Sequence, residues 1–259
     1  MSTALITGGT AGLGAAFARY FASAGYDLIL VARGVERLDR FGAELAQQYS
    51  VTVSSTAADL TTDEGCSAVI ELLDGVDVLV NNAGIGLGKG FSAAGLEAEE
   101  RLLNLNVRSV LRLSHEAFKH MRRRGRGTII NVSSVAGFGP TMPGSTYNAS
   151  KAWVTSFSES IGLLGRSENV RVMALCPGFV RTEFHSSANI PTSDIPGWMW
   201  LNADSVVESG MRDLRRGKLI SVPSVKYKFI VSAIRHMPLG ALGRITTRLA
   251  AISARGQIR

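Results

Sequence analysis

Two cysteines in 259 residues, Cys66 and Cys176, are too few for a disulfide framework and show no metal-ligand spacing, so no bound metal is expected. Prolines number only seven, and no apolar run reaches the roughly 18 residues that a membrane span needs. Met1 leads directly into a strand, without the basic stretch and apolar leader of a secreted chain, which makes the cytoplasm the expected compartment. No basic face interleaved with aromatics is present, so nucleic acid is not an expected partner. Also missing are the spacing G-x-G-x-x-G and an acid about 20 residues beyond the first glycines.

What remains is a chain with 46% hydrophobic and 19% charged residues, enough apolar material for one large α/β domain over 1–259. The net charge is +7. Arg122, Arg123, Arg124 and Arg126 cluster at the end of one helix, where cations complement its dipole; the alternative is attraction to acidic partners. Many of the 28 glycines fall where a strand passes into a helix rather than in low-complexity runs.

The first such junction follows a short strand, Ala4 to Thr7. It reads T-G-G-T-A-G-L-G and opens a helix that closes at Gly25. Strand, glycine turn and helix aim backbone N–H groups and a helix dipole at phosphate, and Gly8, Gly12 and Gly14 permit the close approach. The second strand, Asp27 to Ala32, ends at Arg33 where an acid for the ribose hydroxyl would otherwise stand. Arg33 favours a 2′-phosphate and hence NADP, with NAD as the alternative; Arg37 either assists or is solvated. Val35 to Tyr49 is an amphipathic helix with Leu38, Phe41, Leu45 and Tyr49 on its buried face. Asp59, after a third strand over Val51 to Ala57, either caps the helix starting near Thr61 or reaches an adenine amino group. A fourth strand, Val76 to Val80, ends in Asn81-Asn82-Ala83-Gly84, a polar turn at the edge where an open parallel sheet holds its ligand. A long helix is expected from about Glu97 to Met121. Asn106 lies within its apolar pattern, where it either bonds a kinked backbone or holds water near a reacting centre.

The densest chemistry lies between Ile129 and Lys151. A buried strand, Thr128 to Val132, gives way to a loop with Gly137, Gly139, Pro140, Pro143 and Gly144, and then to a helix carrying Tyr147 and Lys151. Four residues apart, these two share a helix face, and the ammonium is expected to lower the phenol pKa from roughly 10. Ser134 can share a substrate oxygen with that phenol, which suggests proton transfer at an oxygen bonded to carbon. A sixth strand, Val170 to Leu175, leads into Cys176-Pro177-Gly178. The irregular segment over 182–202 contains Trp198-Met199-Trp200-Leu201, either a flap over an apolar ligand or core packing. A helix over Ala203 to Arg216 and a short strand over Leu219 to Val222 follow. Residues 224–259 look like a helical tail with Lys226, Lys228, Arg235, Arg244, Arg248 and Arg255 interleaved, a solvated face or a membrane-surface or subunit contact. Repeated alternation of strand and helix argues for a doubly wound parallel sheet.

In order and spacing, T-G-G-T-A-G-L-G, D-L at 59–60, N-N-A-G at 81–84, N-V-R-S at 106–109, N-V-S-S at 131–134, Y-N-A-S-K at 147–151 and P-G-F-V-R-T at 177–182 resemble the short-chain dehydrogenase/reductase family over nearly the whole chain. The resemblance implies a Rossmann-like fold and an NAD(P)-dependent oxidoreductase acting on a carbonyl or secondary alcohol, with lipophilic ketoacyl or steroid-like substrates in view. It selects Ser134 over Ser133, because the family's serine stands thirteen residues before the tyrosine. It adds Asn106 as a fourth catalytic member holding a water in a proton relay, beside Ser134, Tyr147 and Lys151. It implies cofactor contacts at Gly8, Thr10, Gly12, Leu13 and Gly14, at Arg33, Asp59, Leu60, Asn82, Ala83 and Gly84, and at Tyr147, Lys151, Pro177, Gly178, Val180 and Thr182. Thr182 would meet the nicotinamide carboxamide. The glycine turn lacks the basic residue that many NADP-using relatives carry, so NADP rests mainly on Arg33. Relatives pair through the helices at about 97–121 and 147–166, which implies a homodimer or homotetramer. A catalytically silent NAD(P)-binding sensor or scaffold is the alternative function.

Overall fold

The computed structural model describes residues 2–139, 145–188, 190, 192 and 195–237. Its first half alternates regularly: β1 (Thr3–Thr7), α1 (Gly12–Ser23), β2 (Asp27–Ala32), α2 (Val35–Tyr49), β3 (Val53–Ala57), α3 (Asp63–Ile70) and β4 (Val78–Asn81). Then come α4 (Leu96–Leu103), α5 (Ser109–Arg124), β5 (Gly127–Val132), α6 (Thr146–Ser167) and β6 (Val170–Leu175). The chain continues with α7 (Phe184–Ser187), α8 (Ala203–Arg215), β7 (Ile220–Ser221) and α9 (Val225–His236). The strands form one parallel sheet in the order β3-β2-β1-β4-β5-β6-β7. This is a Rossmann-like, doubly wound α/β domain. β1 pairs with both β2 and β4, so the strand order reverses there and leaves a crevice at the carboxyl ends of β1 and β4.

Both faces of the sheet are covered, and alternate residues of each strand feed opposite cores. Ile6, Leu30, Val80, Ile130 and Met173 pack under Phe17 and Phe21 of α1, Leu38 and Leu45 of α2, and Val206 and Met211 of α8. Leu5, Val31, Leu79, Ile129 and Val172 point the other way, onto Cys66 and Val69 of α3 and Leu113, Ala117 and Met121 of α5. Phe21 is 2% exposed, and truncating such a side chain to alanine costs about 3–5 kcal/mol. Phe41 and Tyr49 lie at the margin of the first core, half-buried.

The expected helix over 97–121 is in fact two helices joined by a π-helical turn, Asn104–Arg108. There the Ser109 N–H reaches back to the Asn104 carbonyl, and the Ser109 hydroxyl satisfies the Leu105 carbonyl at 2.6 Å. β3 starts at Val53 rather than Val51, because Thr52 spends its N–H on the Asp27 carboxylate at 2.9 Å. β4 runs 78–81 instead of 76–80; Val76 is drawn into the turn before it by its N–H bond to the Leu73 carbonyl, while Asp77 bonds Thr3 and Thr128 on either side just ahead of the strand. Among the described residues no helix is long and apolar enough to cross a membrane. Pro140, Pro143 and Gly144 of the expected loop, and Arg244, Arg248 and Arg255 of the expected tail, lie outside the described residues, as does part of the 182–202 flap.

Candidate active site

The crevice starts at the end of β1. The Thr7 hydroxyl accepts the N–H groups of Asn82 and Ala83, each at 3.0 Å, while the Asn82 amide donates to the carbonyls of Thr7 and Gly8 at 2.9 and 3.1 Å. These bonds lock the N-N-A-G turn against the glycine turn. A Cβ on Gly14 would stand 2.0 Å from the Gly8 carbonyl oxygen, so no larger residue fits there. α1 begins after Ala11 with no side-chain cap and no acid in its first turn, leaving its N–H groups and positive dipole end for an anion. Thr182 stands against this turn, its Cβ and Cγ2 3.0 Å from where a Gly12 side chain would begin. Thr10 and Leu13 belong to the same turn and the first turn of α1. The donor set, the dipole and the glycine cradle fit the diphosphate of a nicotinamide dinucleotide.

Around this cradle, Arg33 lies exposed at the end of β2. Arg37 is exposed, as a solvated arginine would be, but its guanidinium also forms two bonds with the Glu183 carboxylate, at 2.7 and 2.8 Å, tying α2 to the segment after β6. Asp59 does not cap α3, whose cap is Thr62. Its carboxylate instead accepts the N–H and hydroxyl of Thr61 at 3.0 and 2.8 Å and faces Arg101 at 3.3 Å. Burial pushes the Asp59 pKa up, but the Thr61 bonds and the Arg101 and Arg33 charges outweigh it and hold the carboxyl below its usual range. Leu60 is 4% exposed and packs in the core, so it can offer the crevice only backbone.

The polar cluster lies deeper, between β5, α6 and the π-helical turn. Asn106, fully buried, accepts the Ile85 N–H at 2.9 Å, donates to the Ile85 carbonyl at 2.8 Å and reaches the Ser150 hydroxyl at 3.3 Å. Its amide therefore pins the segment after Gly84 to the kinked helix. A Cβ on Gly84 would lie 3.2 Å from Asn106 Oδ1 and 3.5 Å from Lys151 Nζ, so this glycine keeps the two in one pocket. Ser133 is buried and bonded to the Lys151 carbonyl and to Thr155, each at 2.7 Å, whereas the neighbouring Ser134 is half-exposed. Ser134 Oγ accepts the Ala136 N–H at 3.1 Å and also hydrogen-bonds the Tyr147 phenol.

Lys151 Nζ donates to the Val132 carbonyl at 2.8 Å and sits 5.7 Å from the centre of the Tyr147 ring. Burial pushes this lysine down to about 8. Contrary to the sequence expectation, the phenol of Tyr147 is not lowered: burial pushes it up to about 12, and the Ser134 hydroxyl pulls it only partly back. The ammonium is spent on a backbone carbonyl and faces the ring rather than the oxygen, so it does not offset that burial.

The P-G-F-V-R-T segment forms the outer wall. The Pro177 carbonyl accepts the Val135 N–H at 3.0 Å, and Val180 bridges to Leu201. A Cβ on Gly178 would strike the Tyr227 ring at 2.0 Å. Tyr227, which the sequence does not single out, is buried there; it accepts the Phe179 N–H at 3.0 Å and donates to the Met199 carbonyl at 2.8 Å. A cavity of about 570 Å³ opens among Arg181, Thr182, His185, Ser186, Ile190, Thr192 and Trp200. His185 is a second residue that sequence reasoning misses. Its ring packs on Phe179, Phe184 and Trp200, burial lowers its pKa, and among the described residues its buried Nδ1 meets no hydrogen-bond partner. Phe184 continues the aromatic wall to Tyr147, ring centres 5.7 Å apart. Among the described residues no group of three His, Cys, Asp or Glu could hold a metal ion.

A dinucleotide crevice with a Ser, a Tyr and a Lys at its floor defines an α/β oxidoreductase. Residues 2–192 match the family model of the short chain dehydrogenases, and the chain belongs to that family of dehydrogenases and reductases acting on CH–OH groups. It is 33% identical over 183 residues to the 3-oxoacyl-(acyl-carrier-protein) reductase of Aquifex aeolicus, a stretch that covers 69% of this chain and 74% of that one. A short-chain dehydrogenase from Sphingobium yanoikuyae, solved with NADPH, superposes with a TM-score of 0.83 at 31% identity, over 98% of this chain and 96% of its own. A bulky-bulky ketone specific alcohol dehydrogenase from Comamonas testosteroni gives 0.79 at 27% identity, over 98% and 94%.

Proposed function

We propose that the chain is an NADP-preferring oxidoreductase that interconverts a carbonyl and a secondary alcohol on a lipophilic substrate, with Tyr147 as the proton donor. The observation that carries the reading is the convergence of Ser134, Tyr147 and Lys151 beside the glycine crevice. A nicotinamide dinucleotide held in this crevice would supply or take up the hydride at the substrate carbon. Tyr147, protonated at neutral pH like any tyrosine, gives its proton to the substrate oxygen during reduction. Ser134 donates a hydrogen bond to the same oxygen as charge develops on it. Lys151 is the positioning charge below the ring, and Asn106 holds the Ile85 segment and the turn that shape the pocket. Gly8, Thr10, Gly12, Leu13 and Gly14 would cradle the diphosphate. Asp59, Asn82, Ala83 and Gly84 would line the crevice, and Pro177, Gly178, Val180 and Thr182 its nicotinamide end. NADP is supported by exposed Arg33, with no acid in its place, and by the NADPH in the Sphingobium relative.

A lipophilic substrate is supported by the aromatic wall of Phe184, Phe179 and Trp200 and by the bulky ketones named for the Comamonas enzyme. We place the enzyme in the cytoplasm, in keeping with two free thiols. We also infer a homodimer or homotetramer through α5 and α6, supported by the exposed Leu111, Leu163 and Leu164 on those helices. The test is a panel of carbonyls and alcohols followed at nicotinamide absorbance with both cofactors. Tyr147→Phe should abolish turnover while leaving NADPH affinity within a few-fold. Turnover that survives in this variant refutes the assignment, and NADPH binding without turnover across the panel would favour a silent sensor.

A further inference from the structure

Charge is not spread evenly along this chain. After Asp213 there are ten Lys and Arg residues and no Asp or Glu, so the final 46 residues carry +10 while the preceding 213 carry −3. Within the described part of that stretch, α9 turns apolar side chains outward. Val225 is 68% and Phe229 73% exposed, one turn apart on a single face, while Tyr227 and Val231 of the same helix are buried. Lys228 is exposed beside them. Next to the start of α9 lies the turn Gly197–Met199, whose Trp198 is 62% exposed. The Lys226 ammonium sits over the Trp198 ring at 5.8 Å from its centre and bonds the Trp198 carbonyl, joining turn and helix into one surface.

We propose that this outward face of α9, with Trp198, docks on an anionic lipid bilayer. Val225 and Phe229 would enter the headgroup boundary, Trp198 would sit at its level, and Lys226 and Lys228 would meet lipid phosphates. Outward apolar residues flanked by lysines are the pattern of a helix lying in a membrane interface. Lys226 and Lys228 supply the matching charge, worth about 1 kcal/mol each near such a surface. Trp200, two residues past Trp198, lines the cavity, so docking brings the cavity rim to the bilayer. This surface stands independently of the reaction proposed above.

The test is co-sedimentation of the full chain with vesicles of phosphatidylcholine alone and of phosphatidylcholine mixed with phosphatidylglycerol, at low and high salt. Binding is expected on the mixed vesicles only, and it should weaken as salt screens the charges. Lys226→Gln with Lys228→Gln should lower the partition coefficient about 30-fold, and Lys228→Gln alone about fivefold. Phe229→Ser should lower it about tenfold. If the double variant does not fold, Lys228→Gln and Phe229→Ser, both at exposed side chains, carry the test. Equal binding to neutral vesicles, or anionic binding unchanged by these substitutions, overturns the proposal. So does a Phe229→Ser variant that changes the oligomer size by light scattering while vesicle binding persists, because the face then belongs to a second copy of this chain.

Discussion

Lys151→Met should make the protein more stable at neutral pH while abolishing turnover. A lysine pushed by burial from the usual 10.5 to about 8 adds about 3 kcal/mol of folding cost when charged, at about 1.4 kcal/mol per pKa unit. Methionine keeps the apolar stem and removes that charge. It also leaves the Val132 carbonyl without its 2.8 Å donor, which costs about 1–2 kcal/mol. The net gain at pH 7 is about 1–2 kcal/mol, or about 2–8 °C in Tm for a chain of this size. The pH dependence is more diagnostic than the magnitude. Between pH 8 and 10.5 the native lysine has lost its proton while the unfolded one retains it, so wild-type stability rises with pH relative to the variant. The advantage of Lys151→Met should therefore shrink across that window and reverse near its upper end. Urea unfolding of both proteins at several pH values measures the difference, with titrations common to both cancelling. A variant less stable than wild type at pH 7, or a difference that stays flat from pH 7 to 10, would refute the buried-charge reasoning.

Other substitutions probe separate parts of the site. Arg33→Ala should cut the preference for NADPH over NADH by about tenfold or more, as a charge-assisted bond to phosphate is worth about 1.5–3 kcal/mol; an unchanged ratio of kcat/KM for the two cofactors refutes its role. Gly178→Ala should destabilise the fold by about 2 kcal/mol or more, because the new methyl meets the Tyr227 ring at 2.0 Å, and thermal melting reads it. Raising the pH from 10 to 12 should cost stability through Tyr147, whose native phenol still holds its proton where the unfolded one has released it, and Tyr147→Phe should remove that component.

Local signals carried most of the fold. β2, α2 and β6 have the bounds their sequences suggest, since each is an apolar or amphipathic run with a clear end: Arg33 after β2, a left-handed Ser50 after α2 and Pro177 just past β6. The π-helical turn at 104–108 was hidden because one extra residue barely disturbs a 3.6-residue pattern rich in leucine, and Asn106 gave the only hint of a kink. Long-range partners left no trace either. Arg37 and Glu183 are 146 positions apart, and Tyr227 is 48 positions beyond the Phe179 N–H it accepts. The direction of the Tyr147 pKa could not be read from helical spacing. Spacing places a cation beside a phenol, but only packing decides how far burial raises the phenol and which carbonyl takes the ammonium.

The widened turn also constrains how this chain can change length. The π-helical turn holds one residue more than an α-helical turn, so deleting a single position between Asn104 and Arg108 lets it close as ordinary α-helix with α5 in register, whereas a deletion at the start of α5 itself would rotate the rest of that helix by about 100°. Leu113, Ala117 and Met121 would then leave the sheet, and Ser114, Phe118 and Arg122 would take their places against Leu79 and Ile129. Descendants of this sequence can shed a residue at the widened turn, but one lost at the start of α5 would trade that helix's packing against the sheet for a single missing position.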